Sequence, residues 1–243
     1  MKFRTQYQIK WHDTDANRRL RPSQWLVYMQ ETADRHLKSA GMSLDDLRDD
    51  RGLAFLLSRI TVKMYEQLHA YDEIEVETWV GEGHGLSFDR YFRVLRGGTV
   101  VGEAFSLWAL MNIREGKLLR TSEFSYPFSP DEPLTGELCS RVRYPALSAM
   151  EQVGERRIVY SDIDYNGHMN NTKYPDMLCD FTEGIRHKSV KGMSLSFLRE
   201  AAFGHTLAVY RSEVADACYF RTVDESGASC LEALLLTEDK MEE

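Results

Sequence analysis

The chain has few cysteines, and none of them is placed to form a recognisable pair. Its 243 residues contain four, Cys139, Cys179, Cys218 and Cys230, and no CxxC motif. This spacing argues against a structural zinc site and against the disulfide framework of a small secreted domain. The N-terminal stretch "MKFRTQYQIKWHD" also lacks the hydrophobic segment of a secretory signal. We therefore expect a reducing, cytoplasmic compartment.

The sequence also lacks long apolar runs and an excess of positive charge. No run approaches the length of a membrane span, so we expect no membrane partner. The formal net charge is −8 at pH 7. A general nucleic-acid binder needs a basic surface to contact phosphates, so the charge disfavours that class. The apolar fraction of 43% is typical of a globular protein.

Proline is scarce outside one stretch, "PFSPDEPLTGELCSRVRYP". Proline has no amide hydrogen, and it disfavours helix in the residue before it. We therefore predict a linker region at residues 126–150. It divides an N-terminal repeat at residues 1–125 from a C-terminal repeat at residues 151–243.

A shared D-x-D-x-N pattern supports the division into repeats. "WHDTDANRRL" in the first half aligns with "YSDIDYNGHM" in the second. A helical pattern follows each motif. The first has apolar residues at four-residue spacing, with Ser23 as the expected N-cap and Gly41 just past the C-terminus. The second is expected to begin after Asn171 and to carry one apolar face: Tyr174, Leu178, Phe181 and Ile185.

Alternating strand patterns such as "YDEIEVETWV" follow each helix. A long helix with an apolar stripe needs a surface against which to bury it, and a curved antiparallel sheet provides one. We therefore predict an α+β fold, a tandem (double) hotdog. Each half is an antiparallel sheet wrapped around a long central helix.

The second motif invites a calcium-site interpretation, because D-x-D-x-N-G matches the start of an EF-hand loop. That loop needs a carboxylate at its twelfth position, and counting from Asp162 this position is Lys173. We therefore predict no metal site. Aspartate and asparagine before a helix are also common caps, and we favour that role for Asp162 and Asn171.

A longer stretch, "SDIDYNGHMNNTKY", closely resembles the signature S-D-x-D-x-N-x-H-V-N-N-x-K-Y of acyl-ACP thioesterases, the plant plastid enzymes and their shorter bacterial relatives. It differs by Met169 in place of valine. "LSFLREAAFGHTL" resembles the family's "L-x-Y-R-R-E-C-G" strand, and "YMQETADRHLKSAGM" resembles its first-repeat helix. The resemblance spans both halves.

This resemblance implies a thioester hydrolase that releases free fatty acid from fatty acyl-[acyl carrier protein] and so terminates fatty acid biosynthesis. It implies the carrier protein as partner, no cofactor, and a catalytic set of Asp164, Asn166, His168 and Glu200. The family's cysteine is Ala201 here, so we expect an activated water as nucleophile.

Individual roles are hypotheses. Glu200 or Asp164 is the expected general base, as a partly buried carboxylate. His168 is expected to orient water or to protonate the leaving sulfur, and Asn166 to position the carbonyl or the histidine. Asp164, Asn166 and His168 alternate along the chain, so an extended segment would place all three side chains on one face.

The first half departs from the pattern. Arg19 stands where His168 stands in the second half, so we expect a degenerate copy, with Glu66 as the candidate counterpart of Glu200. The basic cluster Arg18, Arg19 and Arg21 is a candidate surface for the carrier protein. An acyl-CoA thioesterase and a non-catalytic acyl-binding protein stay open as alternatives, and so does formation of a homodimer.

Overall fold

One antiparallel sheet of eleven strands organises the residues that the structure, a computed structural model, describes: 2–134 and 137–239. The strands are β1 (Phe3–Gln8), β2 (Leu53–Met64), β3 (Glu73–Val80), β4 (Phe88–Arg96), β5 (Thr99–Asn112), β6 (Lys117–Leu119), β7 (Glu151–Arg157), β8 (Lys188–Phe197), β9 (Thr206–Val214), β10 (Ala217–Val223) and β11 (Ser229–Asp239). Their order is β1-β3-β4-β5-β2-β8-β11-β10-β9-β7, and β6 pairs with β5.

The two repeats meet where β2 pairs with β8. Arg59 lies opposite Ser196 and Thr61 opposite Ser194, and the hydroxyls of Thr61 and Ser194 are 3.0 Å apart. Strands β5, β4, β3 and β1 follow outward on one side of this junction, and β11, β10, β9 and β7 follow on the other. Corresponding strands of the two repeats follow one another in the same order on both sides, which confirms the predicted double hotdog.

The first central helix, α1 (Pro22–Ser39), has 18 residues and packs against the sheet through Trp25, Met29 and other buried side chains. It begins two residues earlier than predicted, because Pro22 occupies its first turn, where no amide donor is needed, and Arg21 takes the N-cap position. Ser23 is therefore not the cap. Its hydroxyl instead donates to Asp176 Oδ2 at 2.8 Å. Gly41 follows the helix with φ +71°, as predicted.

The second central helix, α2 (Tyr174–Asp180), has only 7 residues and is shorter than predicted. The Thr182 hydroxyl donates to the Leu178 carbonyl at 2.8 Å, which competes with continuation of the helix. Gly184 then turns the chain with φ +65°. Ile185 consequently lies in a separate 3₁₀ turn, Ile185–His187, and not on the helix.

The proline-rich segment packs against the sheet. Tyr126 and Phe128 extend an aromatic cluster of the first half. The Trp79 indole donates to the Glu132 carbonyl at 2.8 Å, and Leu134 is buried beside it. This segment therefore adds side chains to the first repeat. None of the helices within the described residues is long and apolar enough to cross a bilayer.

Candidate active site

The second motif folds as a tight turn and not as the extended segment that the sequence predicted. The Asn166 backbone amide donates a hydrogen bond to the Asp164 carboxylate at 2.8 Å, and the Asp164 backbone amide donates one to the His168 carbonyl at 3.2 Å. Gly167 supplies the left-handed residue, with φ +85°. Aspartate favours such turns because its side chain mimics a backbone carbonyl. The turn nevertheless directs Asp164, Asn166 and His168 toward one cavity.

Residues that flank the turn have structural roles. Asp162 is 3% exposed, accepts the Val159 amide at 2.9 Å and pairs with Arg156. The helix cap is Asn170, whose side-chain oxygen accepts the Thr172 amide at 2.8 Å. The predicted cap Asn171 lies one residue too late, because the 3₁₀ turn Asn171–Lys173 already begins there. Asn171 lines the cavity instead.

His168 and Glu200 form an ion pair or a hydrogen bond, with 3.2 Å between Nε2 and Oε1. Backbone contacts bring their segments together: the Met169 amide donates to the Ala201 carbonyl at 2.8 Å, and His168 bridges to Ala202. The Glu200 side chain is 63% exposed, so the expected partial burial is wrong for this carboxylate. It lies just past the end of β8, at the rim of the cavity.

The cavity has a volume of about 580 Å³, within the usual range of small-molecule sites. All four predicted site residues line it. The other lining side chains come mainly from the first half and are largely apolar: Leu37, Leu44, Leu47, Leu53, Phe55, Phe88, Trp108 and Tyr126. A polar rim on an apolar chamber suits a ligand with one reactive polar end and a long apolar body.

Arg48 is a site residue that sequence reasoning missed. It belongs to the segment Asp46–Asp50 of the first half, and its guanidinium donates to Asn166 Oδ1 in the second. The guanidinium carbon also lies 5.1 Å from the centroid of the Tyr165 ring. No spacing or motif relates Arg48 to Asn166, so the sequence offered no signal for this contact.

The second missed group is a buried cation in the cavity wall. Arg90 is 4% exposed and donates to Thr78 Oγ1 at 3.1 Å and Tyr126 OH at 2.6 Å. Its Nη1 lies 3.3 Å from His36 Nδ1. Burial, and secondarily the Arg90 charge, lowers the pKa of His36 to about 4. His36 is therefore neutral at pH 7, and its Nδ1 accepts from the donor-only guanidinium.

The first-half motif repeats the turn without the site. Asp15 accepts the Asn17 amide at 2.8 Å, as Asp164 accepts that of Asn166. The Leu20 amide donates a hydrogen bond to the Leu68 carbonyl, just as the Met169 amide donates to the Ala201 carbonyl. The counterpart of Glu200 is therefore Gln67, the residue before Leu68, and the prediction of Glu66 is wrong.

Arg19, the counterpart of His168, is buried at 9% exposure. It pairs with Asp15 and donates to Ser189 Oγ and the Lys188 carbonyl. It therefore joins the two halves and is not available to a carrier protein.

Two repeats that share one continuous sheet, with one turn motif at an apolar cavity, define a double-hotdog protein. Residues 1–124 match the model of the acyl-ACP thioesterase N-terminal domain, and residues 148–239 match that of the C-terminal domain. The chain therefore belongs to the acyl-ACP thioesterase family.

Plant relatives agree with this assignment. The chain is 25% identical over 215 residues to an acyl-[acyl-carrier-protein] hydrolase of Cuphea viscosissima, covering 82% of this chain and 52% of the relative. It is 25% identical over 213 residues to a palmitoyl-acyl carrier protein thioesterase of Arabidopsis thaliana, with the same coverage. The chain thus spans about half the length of the curated relatives it matches.

Solved structures share the fold. An acyl-ACP thioesterase from Bacteroides thetaiotaomicron superposes with a TM-score of 0.86 at 24% identity, covering 98% of each chain. A 12:0-ACP thioesterase from Umbellularia californica also gives 0.86, at 20% identity and the same coverage.

Proposed function

We propose that this protein hydrolyses the thioester of fatty acyl-[acyl carrier protein] and releases free fatty acid, the step that terminates fatty acid synthesis. The observation that carries the proposal is the His168–Glu200 pair, 3.2 Å apart at the rim of an apolar cavity. The acyl chain occupies the apolar chamber, and the thioester lies at the rim. Membership of the acyl-ACP thioesterase family supports this substrate class.

Water is the nucleophile in this proposal. Glu200 takes a proton from water as its oxygen attacks the thioester carbonyl carbon, and the carbon–sulfur bond then breaks. The proton returns to the leaving sulfur through the His168–Glu200 pair. One thioester and one water thus give one carboxylic acid and one thiol.

Hydrogen bonding favours Glu200 over Asp164 as the base. One Asp164 oxygen is occupied by the Asn166 amide and holds the turn in place. The structure shows no backbone hydrogen bond to the Glu200 carboxylate within the described residues. Asp164 therefore shapes the site, while Glu200 is open to water.

The cysteines support the absence of a thiol nucleophile. Within the described part of the chain, no cysteine lines the cavity. Burial raises the pKa of Cys218 and of Cys230 to about 11, so both are protonated thiols at pH 7. The four thiols are unpaired, which supports our proposal of a reducing cytoplasmic compartment.

The test is thiol release from a series of acyl-carrier-protein thioesters, short to long, each beside the acyl-CoA thioester of the same acyl group. We expect turnover on the carrier-protein series, with one preferred range of chain length. Turnover on acyl-CoA alone would show that the thiol carrier is coenzyme A and not the carrier protein. If neither substrate were turned over and bound acyl thioester were recovered intact, the protein would be an acyl-binding protein and not an enzyme.

A further inference from the structure

We propose that Arg48 is a positioning residue of this site: it fixes the Asn166 amide so that Nδ2 donates to the carbonyl oxygen of the thioester. This inference rests on the proposed function. The two residues come from different repeats, so the first half, which carries Arg19 at the position of His168, contributes directly to the geometry of the second-half site.

The chemistry of arginine fixes the amide orientation. A guanidinium carries only donors, so the Asn166 atom that faces Arg48 is the oxygen. The Asn166 backbone is held as well, because its amide donates to Asp164 Oδ1 at 2.8 Å. The side-chain NH₂ therefore points away from Arg48. The structure shows no protein acceptor for that NH₂ among the described residues, and Asn166 lines the cavity.

Arg48 is itself held in a defined place. The preceding residue, Leu47, is 1% exposed and packs with Leu37 and Phe88. Arg114 Nη2 donates to the carbonyls of Asp49 and Asp50 at 3.2 and 3.0 Å, which fixes the segment from its other side. The anchored backbone and the Tyr165 ring, whose centroid lies 5.1 Å from the guanidinium carbon, together hold Arg48 beside Asn166.

The first repeat shows the opposite arrangement. Asn17 occupies the same turn position as Asn166, and it too contacts the other half of the protein. There, however, the partner is a carbonyl: Asn17 Nδ2 donates to Arg186 O at 3.3 Å. Because a carbonyl accepts and a guanidinium donates, Asn17 uses its NH₂ for the contact between the halves, whereas Asn166 uses its oxygen and leaves its NH₂ for a ligand in the cavity.

The expected effect is on turnover and not on substrate affinity. A donor aimed at the developing oxyanion contributes about 10²–10³-fold to kcat. Loss of its orientation, with the donor still present, is expected to cost about 10- to 100-fold. A residue that only docked a carrier protein would change KM instead.

The kinetic test compares Arg48→Met, Arg48→Lys and the control Arg51→Met on two substrates: acyl-carrier protein and the same acyl group on a short pantetheine thiol. Arg51 is exposed, directly follows the segment Asp46–Asp50 and is not among the residues that line the cavity. We expect Arg48→Met to lower kcat about 10- to 100-fold on both substrates, Arg48→Lys to restore part of it, and Arg51→Met to change neither. In an Asn166→Ala background, Arg48→Met should add nothing further. A rise in KM for the carrier substrate alone would overturn the inference.

A second measurement does not depend on activity. The NMR resonance of the Asn166 side-chain amide is assigned by its loss in Asn166→Ala and followed in the Arg48 and Arg51 variants. We expect it to move in Arg48→Met and to stay in Arg51→Met. An unchanged resonance in Arg48→Met would overturn the inference even in an active enzyme. If the wild-type protein showed no turnover while the resonance still shifted in Arg48→Met, the proposed function alone would be refuted.

Discussion

Arg19 and His168 occupy equivalent positions in the two repeats, yet one joins the halves while the other faces a cavity. Each follows the same aspartate-capped turn, and each carbonyl accepts the amide of that aspartate. Arg19 is buried against Asp15, Ser189 and Lys188, whereas His168 meets Glu200. The two repeats thus share one turn frame, which holds an interface residue in the first repeat and lines the cavity in the second.

Arg19→Met is expected to destabilise the protein by about 2–4 kcal/mol, because it leaves Asp15 and the Lys188 carbonyl without their buried donor. The measurement is urea denaturation, with the exposed Arg21→Met as control, expected within about 0.5 kcal/mol of wild type. A stable Arg19→Met protein with a raised KM for acyl-carrier protein would restore the basic cluster as a docking surface.

Gly167→Ala should cost about 1–2 kcal/mol, because φ +85° is strained for any residue with a Cβ. An added Cβ meets no atom within 4 Å, so the cost is conformational and not steric. The equivalent residue of the first repeat, Arg18, already carries this strain at φ +62°. Arg18→Gly is therefore expected to shift the urea midpoint slightly upward, and a loss equal to that of Gly167→Ala would contradict the equivalence of the turns.

Stability is expected to fall in mild acid because of His36. Its folded pKa of about 4 lies below its ordinary value of 6.5, so between these values the unfolded chain binds more protons than the folded one. The folded state therefore loses up to about 3 kcal/mol as the pH falls from 6.5 to 4, with no further loss from this group below 4.

The measurement is urea denaturation across that pH range for the wild type and His36→Gln. The variant should lack this part of the slope. Equal slopes in both proteins would show that other groups cause the acid sensitivity.

Phe55→Leu should shift substrate preference toward longer acyl chains. Phe55 lines the cavity and meets Phe88, Phe124 and Tyr126 edge-on at 5.6–5.9 Å between ring centroids. A smaller side chain extends the chamber, and each methylene accommodated is worth about 10-fold or more in selectivity. The matched control, Phe105→Leu, removes the same volume from a separate cluster with Trp79 and Tyr91. A shift in both variants, or in neither, would contradict the placement of the acyl chain.

Periodic and local features were the predictable part of this fold. Strand β3 alternates apolar and acidic residues, and the repeated motif is visible because the same turn needs the same aspartate and asparagine. The short α2 was not predictable from its apolar face, because a single Thr182 hydroxyl and Gly184 end it.

The tertiary contacts of the site were also beyond the sequence. Arg48 contacts Asn166 from the other repeat, and Arg90 on strand β4 contacts His36 on helix α1. Neither pair has a characteristic spacing, so only the packing of the two halves reveals it. Asp164, Asn166 and His168 were recognisable because they lie within one motif, and a second motif placed Glu200.

The most direct test of the account is turnover of an acyl-carrier protein by Glu200→Gln and His168→Ala. The chain offers a matched control in a second, exposed pair outside the cavity, His205 Nδ1 and Glu225 Oε2 at 3.6 Å. We predict that both site variants fold normally and lose at least about 100-fold in kcat, the usual range for a general acid–base group, while Glu225→Gln keeps wild-type turnover. Near-normal turnover in both site variants would contradict the claim that this pair hydrolyses the thioester.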